Sequence, residues 1–168
     1  VQAMDRTKDT IICDLDGTIA NDSHRAHFLH PKHKEFCSAP EAECVCGLKR
    51  DWDSYFAACG GDAPVDAVIR VIQAFWDEGY NIRLLTGRSE STRAETENWL
   101  RKYAVPYHTL VMRPIDNRTD DDKMKPLMAA ANNWRPSTTL FVMEDRQRVV
   151  DAWRSLGYTV FQVAPGNF

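Results

Sequence analysis

The sequence predicts an α/β, Rossmann-like fold: a parallel sheet of about five strands, helices on both faces, and a small cap insertion after the first strand. Three observations predict it. Five short apolar runs are continuous rather than alternating, as strands buried on both faces require. Helical patterns alternate with those runs, which implies crossover connections. One stretch, residues 22–63, breaks the alternation directly after the first run.

The first run, TIIC (10–13), leads straight into DLDGT. After the insertion, PVDAVIRVIQAFWDEG (64–79) places Val65, Val68, Ile69, Ile72, Phe75 and Trp76 on one helical stripe. Pro64 suits its first turn and Gly79 its end. NIRLL (81–85) is the second strand. SESTRAETENWLRKYA (89–104) has a weaker stripe of Ala94, Trp99 and Leu100, with Ser89 or Ser91 as cap. TLVM (109–112) is the third strand. DDKMKPLMAAANNW (121–134) is helical around Pro126, and the helix is expected to start near that proline. TLFVM (139–143) is the fourth strand. DRQRVVDAWRSLG (145–157) puts Val149, Val150, Trp153 and Leu156 on one face and stops at Gly157. YTVFQV (158–163) is the fifth strand. The expected division is a core of residues 1–21 and 64–168, with 22–63 as a Cys/His-rich, cap-like insertion.

Bulk properties narrow the function classes. A length of 168 residues suits one domain, and 43% hydrophobic with 27% charged residues is an ordinary globular composition. A net charge of -3 does not advertise a long nucleic-acid or membrane partner. No apolar run approaches the roughly 20 residues of a membrane span. The first residues carry no secretion signal pattern, so the expected location is the cytoplasm, a host cell's if the chain is phage-encoded. Five cysteines, an odd count, argue against a disulfide scaffold. No obligate protein partner is readable.

In parallel sheets, ligands bind beyond the carboxyl ends of the strands. The first strand delivers Asp14 and Asp16 there, the second Thr86, Gly87 and Arg88, and the fourth Glu144, Asp145 and Arg146. Lys123 or Lys125 precedes the fourth. Clustered carboxylates repel unless a cation sits among them, and hard oxygen donors point to Mg²⁺. A nucleophile, a metal and cationic donors around phosphoryl oxygens suit phosphoryl transfer.

"DLDGT", "LLTGR", a lysine and an acidic pair together resemble the haloacid dehalogenase superfamily of phosphohydrolases. The last third, EDRQRVVDAWRSLGYTVFQVAPGNF, is similar to the C-terminal phosphatase domain of the phage polynucleotide kinase/phosphatase family. The resemblance covers residues 10–25 and 64–168. It implies Asp14 as a nucleophile forming an aspartyl-phosphate and Asp16 as general acid and then base. It implies Thr86 and Gly87 at the phosphoryl group, and Lys125 neutralising it. It implies Arg25 and Arg88 as contacts to the substrate phosphate. Mg²⁺ would be held by Asp14, the Asp16 carbonyl and Asp145, with Glu144 direct or through water. Glu144 stands where the family has aspartate, and no kinase motif G-x-x-x-x-G-K-[ST] occurs in these residues.

The insertion carries His24, His27, His30 and His33, then Cys37, Cys44, Cys46 and Cys59. Thiolate and imidazole suit structural Zn²⁺, although Cys44-Val45-Cys46 lacks the usual two-residue gap and Pro31 interrupts the histidines. Trp52, Tyr55 and Phe56 have helical spacing, fit for packing the insertion or for stacking on a base. The expected function is Mg²⁺-dependent removal of a terminal phosphate from a nucleic-acid end or nucleotide, the 3'-phosphate being favoured by the resemblance alone. A phosphatase of nucleoside monophosphates or other small molecules, and a catalytically silent binding module, remain as alternatives.

Overall fold

A computed structural model describes residues 7–29 and 50–166. Five strands build its main sheet: β1 (Thr10–Cys13), β4 (Asn81–Ser89), β5 (Thr109–Arg113), β6 (Thr139–Glu144) and β7 (Val160–Gln162). Two short strands, β2 (Ala20–Asn21) and β3 (Ala63–Pro64), lie outside it. The main sheet is all-parallel and runs in the order β5-β4-β1-β6-β7. The first strand in sequence is therefore the central one. All four residues of β1 are buried, which is why TIIC reads as an unbroken apolar run.

Side chains on β1 alternate between two cores. Ile11 and Cys13 pack in one cluster with Val68, Ile69 and Ile72 of α2 (Asp66–Asp77) and Trp99 and Leu100 of α3 (Arg93–Lys102). Ile12 packs in the other with Ala129 of α4 (Asp121–Ala131) and Val149, Val150 and Trp153 of α5 (Gln147–Ser155). The sheet is thus covered on both faces, and its carboxyl edge is left for chemistry.

Several details differ from the sequence expectation; Trp76 and Ala94, placed on apolar stripes, are exposed. The helix holding Pro126 starts at Asp121, not near the proline. Its first turn closes on the N-cap, where Lys123 and Met124 amides donate to the Asp120 carbonyl, and Lys125 is tied from outside into a buried ion-pair cluster. Those contacts offset the one backbone bond that Pro126 cannot make. Leu156, expected on the buried face of α5, lies past the helix end and is 53% exposed.

The insertion begins and ends on a small ladder, in which β2 pairs antiparallel with β3. Between them, the described residues form a 3-10 helix over Ser23–Phe28, the short α1 (Trp52–Ala57) and a 3-10 turn over Ala58–Gly61. The Asp51 carboxylate caps α1 by accepting from the Ser54 amide. No described helix is long and apolar enough to cross a membrane.

The turn after β1 depends on one glycine. Gly17 has φ of 79°, and a Cβ there would sit 2.2 Å from Asp145 Oδ2. Replacement by alanine meets both backbone strain and a clash with a buried carboxylate. Gly17→Ala is expected to destabilise the fold by about 1–3 kcal/mol, read as a shift in the urea midpoint. An unchanged midpoint would contradict this geometry.

Candidate active site

The carboxyl ends of β1, β4 and β6 and the first turn of α4 bring the polar residues together. Asp14, the first residue past β1, is buried. Its Oδ1 accepts from Lys125 Nζ at 2.7 Å, and the same ammonium donates to Glu144 Oε2 at 2.7 Å. Lys125 is buried and Lys123 exposed, so Lys125 is the lysine of the site. The Thr18 hydroxyl lies 3.3 Å from both Asp14 Oδ2 and Asp145 Oδ1, bridging the ends of β1 and β6. Glu144 is spoken for on both oxygens, since Oε1 accepts from the Asp145 and Arg146 amides. Its longer side chain reaches back to Lys125.

Asp14, Glu144 and Asp145 offer oxygens that all lie within 4.8 Å of one another. Their crowding shows in their electrostatics. Burial, with Glu144 adding repulsion, pushes the Asp14 carboxyl well above its usual range. Asp145 is raised to about 6, first by burial and then by Asp14. Burial opposes the Lys125 charge, but Asp14 and Glu144 overcome it and hold the ammonium protonated.

Asp16 sits in a different environment. Its Oδ1 accepts from Arg25 Nη2 at 2.6 Å and from Arg88 Nε and Nη2 at 2.9 and 2.6 Å. Burial would raise its pKa; Arg88 and then Arg25 reverse that, so Asp16 rests as a carboxylate. Both arginines are fully buried and also bind Asp62, the last residue before β3. Asp62 further accepts from the His24 ring (2.9 Å), and its carbonyl accepts from Trp99 Nε1 (2.7 Å).

A cavity of about 940 Å³ opens above these groups, lined by Asp14, Asp16, Gly87, Lys125, Glu144 and Asp145 among others. Thr86, Arg25 and Arg88 stand behind this wall. The Thr86 hydroxyl accepts from the Arg88 amide at 3.1 Å, and the two guanidinium groups grip Asp16 and Asp62 rather than the open space. The Gly87 carbonyl accepts from Arg113 Nε at 2.8 Å, and Arg113 in turn pairs with Asp121.

Sequence reasoning missed Asp62. GGDAP looks like any surface turn, and only the β2–β3 ladder brings its carboxylate under the two arginines. The zinc expectation for the insertion finds no support. Cys37, Cys44, Cys46, His30 and His33 lie outside the described residues. Cys59 is buried with its Sγ 3.9 Å from Thr96 Oγ1, and His24 is engaged with Asp62. Among the described residues, the group able to hold an ion is the carboxylate triad of Asp14, Glu144 and Asp145.

Two outcomes test this geometry. Asp62→Ala leaves two buried guanidinium groups short of counter-charge and is expected to cost about 3–5 kcal/mol of stability in urea unfolding. For Asp145 the sign runs against the usual carboxylate. Its folded pKa of about 6 lies above the roughly 3.9 of an unfolded chain, so in metal-free protein its ionisation opposes folding. That penalty is absent below about pH 4 and complete above about pH 6, on the order of 2–3 kcal/mol. Metal-free Asp145→Asn should therefore melt higher than wild type at pH 7 and converge with it near pH 4; a lower melting temperature at pH 7 would contradict the assignment.

Among known proteins, the family described as "Polynucleotide kinase PNKP phosphatase domain" matches residues 45–168. A protein of Autographa californica nuclear polyhedrosis virus, named as a bifunctional polynucleotide kinase/RNA ligase, is 27% identical over 163 residues, covering 95% of this chain and 20% of its own length. A chain of the Pnkp1/Rnl/Hen1 RNA repair complex superposes with a TM-score of 0.72 at 26% identity, over 99% of this chain and 46% of that one. The chain thus spans well under two thirds of these relatives. The haloacid dehalogenase-like hydrolase SP0104 from Streptococcus pneumoniae shares the fold, with a TM-score of 0.63 at 13% identity over 93% of this chain and 84% of that one. The chain belongs to the polynucleotide kinase PNKP phosphatase-domain family, built on the fold of the haloacid dehalogenase-like hydrolases.

Proposed function

We propose that the domain removes the terminal phosphate, most specifically a 3'-phosphate, from a nucleic-acid end. The observation that carries this reading is Asp14: a buried carboxylate at the end of the central strand, held by Lys125 and facing the cavity. Its free approach is toward substrate, and its oxygens are fixed before substrate arrives.

In the proposed reaction an Asp14 carboxylate oxygen forms a bond to phosphorus as the bond to the leaving 3'-oxygen breaks. Lys125 offsets the charge gathered on Asp14 and the phosphoryl oxygens. Asp16 hands a proton to the leaving oxygen through Oδ2, since Oδ1 is occupied by the arginines. The phosphate adds negative charge beside Asp16 and competes for the arginine field, which favours the protonated carboxyl that the acid role needs. Asp16 then takes a proton from the water that splits the aspartyl-phosphate. Arg25 and Arg88 act here by aiming Asp16; any direct contact to phosphate requires them to release it.

Magnesium fits the donor set, because three crowded oxygen ligands with raised pKa values are the environment that a hard cation relieves. Asp14 and Asp145 would hold it directly, with Glu144 at one remove because both its oxygens are engaged. When bound it supplies charge neutralisation at the phosphoryl oxygens.

The test is a phosphate-release panel of 3'-phosphorylated oligonucleotide, 5'-phosphorylated oligonucleotide and mononucleotides. The 3'-phosphorylated strand is expected to be turned over best. Asp14→Asn is expected to lower kcat by on the order of a thousandfold or more while the protein still folds. Activity within tenfold of wild type would remove Asp14 from the nucleophile role. EDTA is expected to abolish release and Mg²⁺ to restore it, whereas recovery with zinc alone would contradict the oxygen-ligand site. Preference for free mononucleotides would favour the small-molecule reading, for which the net charge of -3 is the supporting observation.

A further inference from the structure

The cavity that Asp14 lines also carries a chemistry that phosphate removal alone does not need. α1 contributes Trp52 and Phe56 to it, one helical turn apart and so on one face. Both rings are half-buried, and they stack with centroids 5.7 Å apart at an interplanar angle of 28°. Tyr55 also borders the cavity but is held by other partners. It is buried, its hydroxyl donates to Asp22, its carbonyl accepts from Arg25 Nη1 at 3.1 Å, and its ring lies 4.0 Å from the Arg25 guanidinium carbon. The helix is therefore pinned to the residue that holds Asp16, while its Trp52/Phe56 face looks into the space that Asp14 also lines.

The cavity is also too large for a phosphate. At about 940 Å³ it is at the upper end of the roughly 300–1,000 Å³ that suits a drug-sized or nucleotide-sized ligand. The lining also takes in the loop after β5, where Ile115 and Asn117 lie beside the exposed Arg118 and the carboxylates of Asp116 and Asp120. Two aromatic rings and the Asp14 carboxylate in one cavity match two parts of a terminal nucleotide, its base and its end phosphate.

We propose that Trp52 and Phe56 form the platform on which the terminal nucleobase stacks. The inference rests on the nucleic-acid-end reading above and deepens it by assigning the insertion's helix a role in selecting substrate. Stacking tolerates any base, so the platform selects for the presence of a base and not for its identity. It acts through binding, because the base undergoes no chemistry.

The experiment compares kcat/KM on two strands that differ in one group: a 3'-phosphorylated trinucleotide with an intact terminal base, and the same strand with an abasic terminal sugar. Glycerol phosphate serves as a third substrate without nucleotide character. Wild type is expected to prefer the base-bearing strand. Trp52→Ala is expected to lower that preference by roughly tenfold, mainly through KM, with Phe56→Ala having a smaller effect and Trp52→Phe retaining most of it. Because the readout is a ratio within one variant, a general loss of folded protein cancels. An unchanged ratio in Trp52→Ala, in an enzyme that does prefer strands, overturns the platform alone. A wild type that turns over glycerol phosphate as well as either strand overturns the nucleic-acid-end reading, and the platform with it.

Discussion

Five carboxylates crowd the carboxyl edge of the sheet, against three cations. Asp14, Asp16, Asp62, Glu144 and Asp145 face Arg25, Arg88 and Lys125, and nearly all of these side chains are buried. Burying such an excess of negative charge is costly, and the raised pKa values of Asp14 and Asp145 are its direct expression. The rest of the site can be understood as the means of bearing it. Lys125 spans Asp14 and Glu144. The two arginines are shared between Asp16 and Asp62. Counted as ionised, Asp14, Glu144 and Asp145 outnumber Lys125 by two charges, and that excess lies at the carboxylate triad.

The charge is sorted into two compartments. On the β1–β6 side, Asp14, Glu144 and Asp145 share one lysine and keep carboxyl groups reluctant to ionise. On the β1–β4 side, Asp16 is held ionised by two guanidinium groups. Carboxylates only two residues apart in sequence thereby acquire opposite resting tendencies, and the proposed acid role of Asp16 requires the substrate phosphate to draw on its arginine field. The insertion takes part in this division. Its return point supplies Asp62, and its helix supplies the Tyr55 carbonyl to Arg25. The β2–β3 ladder, though only two residue pairs long, is what fixes Asp62 in place.

Much of this arrangement is legible in the sequence because parallel strands advertise themselves. TIIC, NIRLL and TLFVM are unbroken apolar runs, and the residues directly after each run must lie at one edge. That logic places Asp14, Asp16, Glu144 and Asp145 without any structure, while the choice of Lys125 over Lys123 rests on the family resemblance. It does not show where a long side chain points. Arg25 and Arg88 are visible as arginines near the site, yet only the fold shows them wrapped around Asp16 and Asp62, away from the cavity. Asp62 itself lies 46 residues from Asp16 in a turn-like stretch, and nothing local distinguishes it from a solvated acid. Pro126 misleads because propensity is a local statement, whereas the turn that precedes it is held by tertiary ion pairs.

The central claim is that Asp14, and no other group, accepts the phosphoryl group. The most direct measurement is acid quenching during turnover of a 3'-phosphorylated oligonucleotide, followed by peptide mapping by mass spectrometry. The account predicts a phosphoryl group on the peptide containing Asp14, lost under hydroxylamine and absent in Asp14→Asn. A phosphoryl group carried by any other residue, or rapid turnover with no trapped phosphoprotein at any quench time, would contradict it.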